Sequence, residues 1–141
     1  MITGFHHAAL SVSDMAKALE FYCDVIGFTE IDRGRWSDSD QYDAIWNLKA
    51  SAGEYAMLRM NDAYLEIFQF ESPKPRLARH GARQSDFGIT HLCLSVDDIG
   101  GEYQRLSKAG VMFTSPPVDA DGWCAFGSDP FGNVIELYQP A

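Results

Sequence analysis

Apolar and polar residues alternate near the start of the chain and then give way to a helical spacing. The apolar residues Ala8, Leu10 and Val12 point to one side of a predicted strand. His7 points to the other side. Apolar residues next recur at helical intervals up to Gly27, a common helix stop: Met15, Leu19, Tyr22 and Ile26. The pattern predicts a strand followed by a helix.

The same pattern occurs a second time in the chain. Two phrases carry the repeat: "HHAALSVSD" at residues 6–14 and "THLCLSVDD" at residues 90–98. Asp14 and Asp98 each follow the strand at a position that can cap a helix. A second helix is predicted to end at Gly110, although Gly100 and Gly101 weaken its start by roughly 1 kcal/mol each.

Strand-like runs complete each half of the sequence. They are "GFTEIDRG", "YAMLRM" and "YLEIFQF" in the first half, and "VMFTS", "WCAFGS" and "NVIELYQ" in the second. Two prolines and several charges without periodicity mark residues 71–88 as a linker. We therefore predict an α+β fold of two paired βαβββ modules, residues 1–70 and 89–141.

Composition and charge narrow the classes of function. A chain of 141 residues can bury one domain or two half-domains with a shared core, and it has no apolar run of membrane-spanning length. The net charge of -9, without a basic cluster, argues against nucleic acids and anionic membranes as partners. Three scattered cysteines favour free thiols, and the N-terminus shows no secretion signal, so we expect a cytoplasmic protein.

Strand alternation places one histidine and one glutamate on the same predicted sheet face in each half. His7 and Glu66 form the first pair, and His91 and Glu136 form the second. A lone carboxylate buried in an apolar strand costs several kcal/mol or becomes protonated, whereas a divalent metal would compensate its charge. Two imidazoles and two carboxylates suit one Zn, Ni, Co, Mn or Fe ion, with positions left for water or substrate.

Simpler explanations exist for each of these residues. A strand histidine is more often structural than a ligand, and a strand glutamate often faces solvent at a sheet edge. No local spacing identifies a metal site, so the repetition of both positions is the argument for one. We interpret three further residues as non-catalytic: His6 as structural, His80 as a solvated linker residue and Cys93 as a packing residue.

Several phrases together resemble one known protein family. They are "HHAALSVSDMAKALEFYCDVIGF", "YLEIF", "GITHLCLSVDD" and "SDPFGNVIELYQP", which together span most of the chain. They are similar to the vicinal oxygen chelate superfamily, the glyoxalase, bleomycin-resistance and dioxygenase group. The resemblance implies paired βαβββ modules whose mixed sheets curl around a metal-binding cleft.

The resemblance also implies a ligand set and a reaction class. The ligand positions of the family fall on four residues of this sequence: His7, Glu66, His91 and Glu136. This pattern is similar to glyoxalase I, and the module pairing is also similar to methylmalonyl-CoA epimerase. We expect a lyase or isomerase in which Glu136 or Glu66 moves a proton next to a metal-chelated carbonyl. A small-molecule substrate with chelating oxygens and a homodimer are expected as well.

Two alternative functions stay open within the same family. An extradiol dioxygenase uses two histidines and one carboxylate, for which Glu66 would be a surplus ligand. A drug-binding resistance protein generally lacks the ligands altogether.

The aromatic stretch at residues 32–54 is a candidate lid or pocket wall, or an ordinary surface loop. Its basic residues Arg33, Arg35 and Lys49 could meet an anionic substrate or simply be solvated. The identity of the substrate is not predicted.

Overall fold

The structure is a computed structural model that describes residues 1–76 and 83–141. Residues 77–82, which include His80 of the predicted linker, lie outside the described residues. Contacts divide the chain into two units, Met1–Leu77 and Ala78–Ala141, and each unit is described by itself.

The first unit contains a four-stranded mixed sheet. Its elements in chain order are β1 (Ala8–Ser11), α1 (Met15–Leu19), a π-helical continuation (Glu20–Ile26), β2 (Thr29–Trp36), α2 (Asp40–Trp46), β3 (Ala52–Met60) and β4 (Ala63–Ser72). The strand order is β1-β4-β3-β2. β1 runs parallel to β4, whereas the other neighbours are antiparallel.

The second unit repeats this topology. Its elements are β5 (Leu92–Ser95), α3 (Ile99–Lys108), β6 (Met112–Phe113), β7 (Val118–Asp119), β8 (Trp123–Ser128) and β9 (Val134–Gln139). The strand order is β5-β9-β8-β6, and β7 pairs with β8. β5 runs parallel to β9 as β1 does to β4. The predicted mixed α+β class, with two mixed sheets, is confirmed.

One face of each sheet packs against the helix of its unit. In the first unit, Leu65 and Ile67 of β4 are 3% and 0% exposed, and Met15 of α1 is buried with them. In the second unit, the equivalent Ile135 and Leu137 of β9 are each 1% exposed. Glu66 and Glu136 alternate with these apolar residues, so both carboxylates lie on the face away from the helix.

The helices α1 and α3 each receive one cap from the residue that precedes them and a second cap from the last strand of their unit. The carboxylates of Asp14 and Asp98 accept hydrogen bonds from the first turns of α1 and α3, as predicted. Gln69 Oε1 of β4 accepts from the Met15 N–H at 2.5 Å. Gln139 holds α3 in the same way. These bonds fix the helix to the strand that carries the glutamate.

The stretch at residues 32–54, for which the sequence left a lid, a pocket wall or a surface loop open, consists largely of regular secondary structure. It contains the end of β2, the helix α2 and the start of β3. Ser39 caps α2, and Tyr42 and Trp46 stack with ring centroids 5.1 Å apart. The i, i+4 spacing of these two aromatic residues, after a capping serine, was the sequence signal for this helix.

In the described ranges, no helix is both long and apolar enough to cross a membrane.

Candidate metal centre

The His7 imidazole and the Glu66 carboxylate meet on one face of the first sheet. Ala9 of β1 lies opposite Glu66 of β4, so His7, just before β1, reaches the same face as the carboxylate. His7 Nε2 lies 3.1 Å from Glu66 Oε2, and the two side chains are 35% and 19% exposed. The carboxylate is therefore partly desolvated and directly beside an imidazole nitrogen.

The second unit repeats this pair. Cys93 of β5 lies opposite Glu136 of β9, and His91 immediately precedes β5. His91 Nε2 lies 3.1 Å from Glu136 Oε2, with side-chain exposures of 29% and 14%. The sequence repeat thus corresponds to a repeated contact with the same pair of atoms.

A polar partner occupies the other ring nitrogen of each histidine. His7 Nδ1 lies 2.8 Å from the Nδ1 atom of His6, and His91 Nδ1 lies 2.9 Å from Thr90 Oγ1. His6 and Thr90 occupy the same position of the repeat. The His6 ring also stacks on Tyr64 at 5.2 Å. His6, interpreted from the sequence as structural, therefore contacts a predicted ligand and restricts its ring orientation.

The donor atoms of each pair suit a divalent metal. Metal–ligand distances of about 2.1 Å place neighbouring ligand atoms about 3.0 Å apart in an octahedron and about 3.4 Å apart in a tetrahedron. The 3.1 Å separation in each unit lies within this range. A histidine whose Nδ1 is held by a second group is also typical of metal ligands.

The structure brings the predicted ligands together in pairs. Over residues 1–76 and 83–141, no group of three or more His, Cys, Asp or Glu side chains is arranged to hold a metal ion. The site formed by all four ligands stays a prediction.

Two thiols flank Glu136 on its sheet face. Cys93 and Cys124 lie on the strands to either side of β9, on the sheet face of Glu136. The Cys124 thiol donates to the Gly122 carbonyl at 3.9 Å. Burial, and after it the neighbouring Glu136 carboxylate, raise the pKa of Cys93 to about 11. The same two causes raise the pKa of Cys124. Both thiols are protonated near neutral pH, which argues against Cys93 as a nucleophile. The Cys93 side chain is exposed, so it is not the packed residue that the sequence predicted.

The arginines of β2 lie on the opposite face from Glu66. Arg33 pairs with Glu54 at 3.1 Å. Arg35 pairs with both Glu54 and Glu71. These guanidinium groups already have carboxylate partners on the helix side of the sheet, so they are not placed to meet an anionic substrate beside Glu66.

An aromatic cluster lies on the same face as Glu66. Phe68 and Phe70 follow Glu66 at alternate positions of β4, and the Trp46 ring of α2 lies 5.7 and 5.5 Å from them. Trp36 packs into the same cluster and is 6% exposed. We call this cluster of Trp36, Trp46, Phe68 and Phe70 the aromatic wall. It is built around α2, which sequence reasoning had not identified as a helix, and its role as a pocket wall stays a prediction.

Comparison with known proteins identifies a family and several relatives. A sequence profile of the Glyoxalase/Bleomycin resistance protein/Dioxygenase superfamily matches residues 4–137. A 2-epi-5-epi-valiolone epimerase from Actinomyces sp is 33% identical over 145 residues, covering 94% of this chain and 76% of the relative. A lactoylglutathione lyase from Pseudomonas aeruginosa is 26% identical over 150 residues, covering 96% of this chain and 81% of the relative.

A solved structure has the same fold. A glyoxalase family protein from Bacillus cereus superimposes with a TM-score of 0.88, covering 99% of this chain and 95% of that chain at 20% sequence identity. At this identity, the comparison establishes the fold alone.

Proposed function

Because the chain belongs to the glyoxalase, bleomycin resistance protein and dioxygenase superfamily, we propose that it is a metal-dependent lyase or isomerase that transfers a proton next to a carbonyl group. One observation carries the proposal: each unit contains a histidine and a glutamate with Nε2 and Oε2 3.1 Å apart. A protein that only sequesters a ligand has no need of two such pairs. Relatives named as an epimerase and as a lyase support the same class of reaction.

The proposed ligands of a single divalent ion are the two pairs: His7 with Glu66, and His91 with Glu136. Superfamily members typically use a divalent metal, and Zn, Ni, Co, Mn and Fe all accept imidazole and carboxylate ligands. A bound cation would stabilise the negative charge that develops on a substrate carbonyl oxygen when the adjacent carbon loses its proton.

A glutamate carboxylate is the proposed base. Glu136 and Glu66 are the two carboxylates of the proposed ligand pairs, and both side chains are partly exposed to solvent. One glutamate would accept the C–H proton from one face of the carbon. Delivery of a proton to the opposite face of the same carbon by the other glutamate gives epimerisation, whereas delivery to a neighbouring carbon gives isomerisation.

Solvent hydrogen exchange tests this proposal. Protein loaded with Zn, Ni, Co or Mn is incubated in heavy water with a hemithioacetal, an acyl thioester or a hydroxyketone. We expect deuterium at the carbon next to the carbonyl, without oxygen consumption, and loss of exchange in Glu136→Gln or Glu66→Gln. Glu20→Gln, an exposed glutamate of the π-helical segment, is the matched control.

Two other outcomes would contradict the proposal. Oxygen uptake with a catechol in the presence of ferrous iron would identify a dioxygenase. Ligand-dependent stabilisation without exchange in any substrate class would identify a binding protein.

A further inference from the structure

A tyrosine and an aspartate form a hydrogen-bonded pair on the same sheet face as Glu66. The strand register places Asp32 of β2 opposite Met57 of β3, and Met57 opposite Glu66 of β4. Asp32 and Glu66 therefore lie on the same sheet face. Their backbones are two strand spacings, about 10 Å, apart. The Tyr55 hydroxyl donates to Asp32 Oδ2 at 2.9 Å. The hydrogen bond to Asp32 is the main cause of a raised pKa of Tyr55, followed by desolvation and by the negative charge of Asp32; Glu66 contributes least.

The chain leaves space for this tyrosine. Gly34 of β2 lies opposite Tyr55, and a Cβ at residue 34 would approach Tyr55 Cε1 to 2.7 Å. A ring carbon cannot be approached that closely, so any larger residue at position 34 would displace the phenol. Glycine at position 34 leaves room for the Tyr55 ring while its hydroxyl hydrogen-bonds to Asp32.

The pair can only accept further hydrogen bonds. The Tyr55 hydroxyl already donates its hydrogen bond to Asp32, so the phenol oxygen has only lone pairs to offer a ligand. The Asp32 carboxylate has no hydrogen-bond donor. Asp32 has no Lys, Arg or His partner within ion-pair distance in the part of the chain that the structure describes. Arg59, on the same face, is held by the Asn61 carbonyl at 2.7 Å and lies over the Tyr64 ring.

The surroundings of the pair favour a neutral ligand with apolar C–H faces. Phe68 lies opposite Tyr55 in the sheet, next to the aromatic wall. Aromatic rings pack against C–H groups, while the carboxylate and the phenol oxygen select hydroxyl donors and repel carboxylates and phosphates.

We propose that Asp32 and Tyr55 orient the substrate by accepting hydrogen bonds from its hydroxyl groups, and that the substrate is a neutral, polyhydroxylated carbonyl compound. This inference rests on the proposed function, since it takes the face that carries Glu66 as the substrate-binding face. Asp32 and Tyr55 are positioning residues, and proton transfer remains with a glutamate.

The test compares binding of two four-carbon ketones by calorimetry, using Zn-loaded protein. Erythrulose carries three hydroxyl groups and 2-butanone carries none. We expect wild-type protein to prefer erythrulose, and Tyr55→Phe and Asp32→Asn each to weaken erythrulose binding about three- to tenfold, as expected for one lost hydrogen bond. Binding of 2-butanone should be unchanged. Tyr103→Phe, in α3 of the second unit, is the matched control and should change neither affinity.

The outcomes separate this inference from the proposed function. Erythrulose binding that depends on Tyr55, without deuterium exchange, would keep the inference and contradict the proposed reaction. Two results would overturn the inference alone if deuterium exchange is still found in a carbonyl substrate. One is equal affinity for erythrulose and 2-butanone. The other is an erythrulose affinity of Tyr55→Phe equal to that of wild type. Preference for an anionic ketone such as pyruvate would also overturn it. Thermal unfolding of each variant shows whether a loss of binding reflects a loss of folding.

Discussion

Gln139 Oε1 accepts a hydrogen bond from the backbone N–H of Ile99 at 2.8 Å, which ties the last strand of the second unit to the first turn of α3. Gln69 and Met15 make the same bond in the first unit. Each glutamine follows a predicted metal ligand, Glu66 or Glu136, by three residues, so it points to the opposite, helix-facing side of the strand. The repeat therefore preserves the connection between strand and helix as well as the histidine and glutamate.

Replacing these glutamines should destabilise the protein. Gln69→Ala or Gln139→Ala leaves a part-buried helix N–H without its acceptor, and we expect the free energy of unfolding to fall by about 1–2 kcal/mol. Urea denaturation measures the change. Gln104→Ala, at an exposed position of α3, is the control and should have little effect. Equal stability of all three variants would show that these caps contribute nothing.

Periodicity predicted most of the fold because one sheet face in each unit is buried. Leu65, Ile67, Ile135 and Leu137 alternate with the two glutamates, and this contrast fixed which side chains share a face. The repeat then predicted both helices, including α3 despite its glycines. The helix α2 has no counterpart in the repeat and no buried residue, so only the capping Ser39 and the spacing of Tyr42 and Trp46 identify it.

The two ligand pairs were predictable because each histidine immediately precedes a strand that runs parallel to the strand of its glutamate. The groups that contact the Nδ1 atom of each histidine could not be predicted from the sequence. Side-chain alternation assigns His6 to the opposite face from His7, but His6 precedes β1 and its ring is free to turn toward Nδ1 of His7. Strand parity therefore does not fix the ring of a residue two positions before the strand. The Asp32–Tyr55 pair was missed for a related reason, since it depends on register between strands that no sequence pattern specifies. The homodimer and the cytoplasmic location stay predictions.

Acid should loosen the segment that follows α2. Asp43 accepts hydrogen bonds from the N–H groups of Ala50 and Ser51, and its contacts with Ser51 lower its pKa below the ordinary value. A carboxylate with a lowered folded pKa stabilises the fold above its ordinary pKa, and this contribution disappears as pH falls through the folded value. Wild-type protein should therefore lose the stability advantage over Asp43→Asn below about pH 4.

Tryptophan fluorescence during acid and urea titrations measures this effect, because Trp36 and Trp46 lie in the adjoining aromatic cluster. Asp40→Asn changes a carboxylate in the same helix and serves as the control. A constant difference between wild type and Asp43→Asn from pH 6 to pH 3 would contradict the assignment.

Purified protein should bind close to one divalent transition metal per chain if, as proposed, the two imidazoles and two carboxylates form a single ligand set. Elemental analysis after chelation and reconstitution with Zn, Ni, Co or Mn measures the ratio. His7→Ala and His91→Ala should each lower it strongly, because neither pair alone supplies more than two donors. His80→Ala removes a histidine outside the predicted ligand set and should retain the metal. Full metal content in both ligand variants would exclude the proposed set.

The neighbours of the two histidines should tune metal affinity without supplying ligands. Thr90 Oγ1 lies 2.9 Å from His91 Nδ1, and His6 holds His7 in the same way. Loss of such a contact frees the imidazole to rotate and to exchange its tautomers, which typically weakens metal binding about 10- to 100-fold. We expect this loss in Thr90→Ala and His6→Ala, with a stoichiometry still near one metal per chain at saturation. Thr90→Ser keeps the hydroxyl and should restore most of the affinity. Competition with a chromogenic chelator measures these constants, and equal affinity in Thr90→Ala and Thr90→Ser would show that the hydroxyl has no part in positioning His91.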